Sequence, residues 1–232
     1  MKKLLSLLIL CIVSTAMAQS INQLDANGKR EGVWKKNFDN TNIIRYEGQF
    51  SHGKEIGTFK FYKKTGNTST LSAVKEFNPN NDIAKVEFLT STKKVISKGE
   101  MNGKLYIGEW KYYHKNSDKI MIIETFNDNG KLEGERLVYY DNGKIAERAF
   151  YKNGLLEGKS TWYSEKEIVL KEFNYKNNLL QGMSKYYDLD GNLLAEGAYK
   201  HDKKVGTWNY YKDGELDDTK DFTNYSKNPA KQ

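Results

Sequence analysis

Cysteine, proline, histidine and arginine are all scarce in this chain of 232 residues. Its single Cys, Cys11, has no partner, so no internal disulfide framework exists. Two Pro and 19 Gly are too few for a collagen-like or low-complexity tract. The three histidines, His52, His114 and His201, stand tens of residues apart at predicted turns. They read as solvated turn residues, and no metal or other cofactor is expected. Arginine supplies only Arg30, Arg45, Arg136 and Arg148 among 37 basic residues. Planar phosphate recognition favours Arg, so a Lys-rich, evenly spread charge of +7 argues against nucleic acid as a partner. Aromatics, by contrast, are 13% of residues and include 16 Tyr, which excludes a disordered composition.

The first eighteen residues read as an address. Lys2 and Lys3 precede the apolar run Leu4 to Val13, and Ala16-Met17-Ala18 offers small residues for cleavage. This is the pattern of a secretory signal peptide cut after Ala18. The run is short for a bilayer core of ~30 Å. Leu10 before Cys11 disfavours lipoprotein processing. The mature chain then lacks Cys11, Lys2 and Lys3, carries 35 basic against 30 acidic residues, and is expected in the periplasm or outer cell envelope.

The rest is a repeat. One phrase runs Gly, any residue, a large side chain, any residue, two aromatics. It stands as Gly108-Glu109-Trp110-Lys111-Tyr112-Tyr113 and Gly206-Thr207-Trp208-Asn209-Tyr210-Tyr211, with variants led by Gly32, Gly57, Gly134, Gly158 and Gly182. The Gly134 copy has one extra residue before Tyr140, which reads as a bulge. A worn copy, Ala84 to Leu89, fills the long gap before Gly108, so about eight copies are expected. After each phrase come a Glu, an aromatic and a turn. Asn102-Gly103, Asn129-Gly130, Asn142-Gly143, Asn153-Gly154, Asp190-Gly191 and Asp213-Gly214 suit type I′ hairpins. Within each phrase side chains alternate between faces, and no helical period is sustained.

The Gly-x-Trp-x-Tyr-Tyr phrases and Asn-Gly turns resemble the MORN-repeat variant family over roughly Gly28 to Gly214. The resemblance implies repeated hairpins and a binding or scaffolding role. Many bacterial members are labelled antitoxins of the YwqK type, and others are linked to membrane lipids. An export signal departs from the role of neutralising a cytoplasmic toxin.

The expected fold is all-β: tandem antiparallel hairpins in an elongated, twisted and curved single-layer ribbon. The expected organisation is a signal peptide at 1–18, a linker at 19–27, repeats at 28–221 with a degenerate copy near 67–98, and a flexible tail at 222–232. The charged stretch Asp217, Asp218, Lys220 and Asp221 would blunt an edge.

Enzymatic signatures are lacking. Gly154 to Ser160 is a residue short of a phosphate loop and continues into a strand. Asp188 to Asn192 departs from a calcium loop, with Tyr199 where the bidentate Glu belongs. No Gly-x-Ser-x-Gly elbow occurs. Two residue sets remain. Trp34, Trp110, Tyr112, Trp162, Tyr186, Trp208 and Tyr210 would form an aromatic face able to bind a partner or stack on sugars, provided that some are exposed in a row. Glu47, Glu76, Glu100, Glu124, Glu147, Glu172 and Glu196 recur in register as an acidic ladder, paired with Lys of neighbouring strands or offered to a basic partner. The expected function is a non-enzymatic, protein-binding scaffold of the cell envelope. Alternatives are a toxin-neutralising immunity protein, and a glycan-binding or membrane-surface protein.

Overall fold

The computed structural model describes residues 20–115 and 117–223. The expected signal peptide with its Ala18 cleavage site, and the tail beyond residue 223, lie outside the described residues. The described chain has no helix. It is one antiparallel sheet in which strands pair with their neighbours in sequence, except that the short β12 and the following β13 both pair with β11.

The sheet opens with β1 (Gln23–Leu24), β2 (Arg30–Asn37) and β3 (Ile44–Ser51). It continues through β4 (Lys54–Thr65), β5 (Thr68–Phe77), β6 (Ile83–Leu89), β7 (Val95–Asn102), β8 (Leu105–Tyr113) and β9 (Ile120–Phe126). The second half holds β10 (Gly134–Tyr139), β11 (Ile145–Lys152), β12 (Leu155–Leu156), β13 (Gly158–Tyr163) and β14 (Val169–Lys176). It ends with β15 (Leu179–Tyr187), β16 (Leu193–Lys200), β17 (Lys203–Lys212) and β18 (Glu215–Asp221).

Three expectations are corrected. Residues 19–27 are not simply a linker: Gln23 pairs with Glu31, and the Trp34 indole donates to the Gln23 carbonyl at 3.0 Å. The stretch near 67–98, expected as a degenerate copy, is built fully into the sheet, because β5 pairs with β6 and β6 with β7, with a one-residue slip at Phe88 and Leu89. Phe222 belongs to the array and not to a tail, since its N–H donates to the Gly206 carbonyl and its ring meets Trp208 edge-on.

The bulge expected only in the Gly134 copy recurs in every copy. The register slips between Tyr112 and Tyr113, Tyr186 and Tyr187, Tyr210 and Tyr211, and at the matching positions of the other five hairpins. The extra residue falls on the return strand and keeps the two aromatics of each pair on opposite faces. The turns differ in kind, and Asn102-Gly103 is not type I′ as expected, since Asn102 pairs with Leu105 and only Gly103 has a positive φ. Asn153-Gly154 and Asp213-Gly214 have both φ angles positive, as type I′ requires. At Asn129-Gly130, Asn142-Gly143 and Asp190-Gly191 only the glycine is positive, and an upstream backbone bond closes a longer loop, as from Tyr140 N–H to the Lys144 carbonyl.

One face of the sheet is its own core. A wide sheet with no second layer can bury apolar area only by laying large rings over neighbouring strands. Trp110 and Trp208 have no exposed surface, and Phe59 and Tyr199 are 1% exposed. Trp110 stacks on Tyr106 at 4.0 Å, and Trp208 meets Tyr199 edge-on at 5.1 Å. Three of these rings lie flat on a glycine eleven residues earlier: Phe59 on Gly48, Trp110 on Gly99, Trp208 on Gly197. A Cβ at Gly197 would stand 2.3 Å from the indole. Where the glycine is replaced by Phe173, the facing ring position is the small, buried Ser184. Ring and gap thus trade places between strands.

Candidate functional site

The ring face has little to offer a partner. Trp110 and Trp208 are fully buried, so neither can stack on a sugar. Trp34, Tyr112, Trp162, Tyr186 and Tyr210 are half-buried among other rings, and none of the seven is exposed. The indoles of Trp110 and Trp208 donate to the carbonyls of Glu100 and Ala198, at 3.0 and 3.1 Å. Burial pushes the Tyr175 phenol up to about 12 and raises Tyr199 further. These phenols are therefore neutral constituents of the face.

The seven glutamates do not form one ladder, which corrects the sequence reading. Strand pairing assigns them to three places. Glu124 faces Trp110 and Glu147 faces Trp162, so both lie on the ring face. There Arg136 takes the position that Trp holds in other copies and donates to both carboxylates, at 3.3 and 3.2 Å. Glu76 and Glu100 share a short row with Lys85 on the opposite, outer face. Glu47, Glu172 and Glu196 belong to a longer outer row.

That long row crosses sixteen strands. Its first half reads Lys35, Glu47, Lys60, Val74, Glu87, Lys98 and Lys111. Ile123 and Leu137 lead into Arg148, Thr161, Glu172, Lys185, Glu196, Asn209 and Thr219. Opposite charges directly across strands attract where like charges would repel. Glu47 pairs with Lys35 at 3.2 Å, Glu196 with Lys185 at 3.3 Å, and Glu172 with Lys159.

The second Tyr of three aromatic pairs serves the same row, a role not apparent in the sequence. Tyr62, Tyr187 and Tyr211 donate to Glu47, Glu172 and Glu196, each fifteen residues earlier, at 2.7, 3.3 and 3.0 Å. The Tyr62 hydrogen bond holds the Glu47 carboxyl below its usual range, with Lys35 adding to it. Burial and that carboxylate push Tyr62 up to about 12. The constant separation of fifteen residues is the signal that could have revealed these pairs.

The outer face is also where open space lies. A cavity of about 470 Å³ spans β4 to β8, between Glu76, Lys85, Glu87, Lys98, Glu100 and Lys111. Another, of about 570 Å³, lies over Glu47, Thr58 and Lys60. Glu76, Lys85, Glu87 and Glu100 are exposed and form no ion pair among the described residues. Nothing in this groove joins a nucleophile to a base. Two histidines are more engaged than solvated turn residues would be: His52 meets Asp25 at 3.0 Å, and His114 meets Asp141 at 2.9 Å and the Tyr139 carbonyl at 3.0 Å.

Known proteins add a family and little else. No curated protein matches the chain at a significant level. A solved GtfA/B complex aligns over 44% of this chain and 19% of its own, at 18% identity and a TM-score of 0.28. A mutant of S. aureus TarM in complex with fondaparinux, α-GlcNAc-glycerol and UDP aligns over 53% of this chain and 20% of its own, at 18% identity and a TM-score of 0.21. The chain thus spans about a fifth of either protein, and likeness of this order carries no argument. The family model for the MORN repeat variant matches residues 132–153, 156–177 and 180–201. Those segments cover the loop-and-hairpin units of β10–β11, β13–β14 and β15–β16. The chain therefore carries tandem repeats of the MORN repeat variant family, three of them in succession between residues 132 and 201.

Proposed function

We propose that the chain is an exported, non-enzymatic scaffold of the cell envelope that binds a protein partner on the outer face of its sheet. The observation that carries this reading is the division between faces. The ring face is occupied by its own side chains, whereas the outer face holds a groove with Glu76, Lys85, Glu87 and Glu100 outside any ion pair. Alternating fixed charges favour complementary partners and fix register more than they add raw affinity. Repeat sheets offer such extended surfaces. The signal-peptide pattern of the first eighteen residues supports an envelope partner, and a toxin neutralised there would use the same face.

Crosslinking of the tagged protein in its native envelope, followed by mass spectrometry, tests this. One dominant protein partner is expected, and it should disappear in a Glu76→Lys, Glu87→Lys, Glu100→Lys variant whose circular dichroism is unchanged. A partner encoded beside this chain would specify an immunity role. Recovery with cell-wall glycan and no protein partner would overturn the reading.

A further inference from the structure

A second cluster, remote from the groove, lies at the N-terminal end of the sheet. His52 occupies the tight turn between β3 and β4 at φ +49°, and its N–H donates to Glu31 Oε2 at 2.7 Å. Its Nδ1 stands 3.0 Å from Asp25 Oδ2 and 3.8 Å from Glu31 Oε2. One nitrogen and two carboxylate oxygens thus lie within 4.8 Å of one another. The N–H groups of Asn27 and Lys29 both donate to Asp25 Oδ1, at 2.9 Å, which fixes that carboxylate and leaves Oδ2 toward the imidazole.

The same turn is built again without these groups. Asn153 takes the place of His52, and its N–H donates to Glu133 Oε2 at 2.8 Å. Asn127 takes the place of Asp25: its Oδ1 accepts from Asn129 and Lys131, and its Nδ2 donates to Asn153 Oδ1 at 3.3 Å. Two amides therefore suffice to hold the turn. In the first copy both amides are exchanged, for a carboxylate and an imidazole, which meet at 3.0 Å and which are both strong metal-binding groups.

We propose that Asp25, Glu31 and His52 bind a divalent transition-metal ion of the Zn²⁺ class, which staples the β1–β2 turn to the β3–β4 turn. A mixed nitrogen and oxygen donor set suits such an ion, whereas Ca²⁺ and Mg²⁺ are held by oxygen alone. Donors on a tetrahedral zinc lie about 3.4 Å apart, so separations of 3.0 and 3.8 Å need only small side-chain shifts. With a neutral imidazole the three ligands carry two negative charges, which the dication balances. The imidazole is 76% exposed, so the remaining coordination positions open to water.

Zinc sulfate titrated calorimetrically into the full chain, with Co²⁺ absorption as a second readout, tests the site. One equivalent is expected. Asp25→Asn with His52→Asn rebuilds the Asn127/Asn153 turn, so it should keep the fold and weaken binding at least about tenfold. Asn127→Asp with Asn153→His should add a second equivalent. Absence of zinc binding by the native chain, or unchanged binding by the Asp25→Asn, His52→Asn variant, would overturn the proposal.

Discussion

Alanine at Gly197 should damage this protein more than alanine at the lead glycine Gly206. Gly206 stands at φ +61° with nothing within 4 Å of a built Cβ, so Gly206→Ala costs only left-handed backbone strain, roughly 1–2 kcal/mol. Gly197 has no such φ, yet its Cβ would fall 2.3–2.4 Å from three atoms of the Trp208 indole. That ring has 0% exposure and cannot swing into solvent without exposing the centre of its cluster. Overpacking of this kind costs about 1–3 kcal/mol. Loss of the 3.1 Å indole bond to the Ala198 carbonyl adds about 1–3 kcal/mol if that group stays buried. The expected total is about 2–6 kcal/mol, read by urea unfolding monitored by far-ultraviolet circular dichroism. The exchange of ring and gap seen at Phe173 and Ser184 sharpens the test. Gly197→Phe and Trp208→Ser should each destabilise strongly, and together should recover at least about 2 kcal/mol in a double-mutant cycle. Additive effects, or a Gly197→Ala cost no larger than that of Gly206→Ala, would refute the argument that ring-on-glycine packing holds the ring face together.

Other consequences can be measured on the same protein. The Ser160 and Ser184 hydroxyls are buried without a partner among the described residues, so Ser160→Ala and Ser184→Ala should raise unfolding free energy by up to about 1 kcal/mol. Tyr187→Phe removes the 3.3 Å bond to Glu172 on a partly exposed face and should cost about 0.5–1.5 kcal/mol, and Tyr211→Phe, which loses the 3.0 Å bond to Glu196, should lower stability in the same direction. Arg136→Ala strands Glu124 and Glu147 on the ring face; because the arginine is about one-fifth exposed, the cost should be about 1–3 kcal/mol, below that of a fully buried pair. The metal-free N-terminal turn should depend on pH in both directions. The hydrogen bond to Asp25, aided by Glu31 and opposed by Lys29, raises His52 above 6.5, so its contribution is complete below 6.5 and lost as pH rises through the raised value. The bond to His52 lowers Asp25 below 3.8, so that contribution is present above 3.8 and lost on acidification through the lowered value. A nuclear magnetic resonance titration showing His52 at or below 6.5 would contradict the contact.

The hairpins were legible because Gly, ring and turn dipeptide recur at nearly fixed spacing, and each is tied to a local conformation. The bulges were not, apart from the Gly134 copy. A bulge is a count of residues on two strands, and Tyr112-Tyr113 looks like any adjacent pair until Met121 is found unpaired opposite it. The glutamates misled for a related reason. Glu172 and Glu147 occupy similar places in their phrases, but a one-residue offset moves a side chain to the other face, so one meets Lys185 and the other Arg136. The N-terminal cluster was hidden by distance, since nothing local marks His52 as a neighbour of a carboxylate 27 residues earlier.

The same one-residue rule separates stability from recognition in this sheet. A ring-face position touches the strands beside it and is filled to the point where a single Cβ does not fit at Gly48, Gly99 or Gly197. Change there propagates to the neighbouring repeat, because each copy is stabilised mainly by its neighbours. An outer-face position such as Glu76 or Glu87 is exposed, forms no ion pair among the described residues, and borders open space. Exposed pairs of the kind that Glu47 makes with Lys35 are worth only about 0.2–1 kcal/mol, so even the paired members of the row can be exchanged at small cost. The repeat therefore keeps one face fixed by packing and leaves the other free to vary in charge. The proposed partner would therefore leave its imprint on the free face, above all in the stretch from β4 to β8 where the row departs from strict pairing and the groove opens.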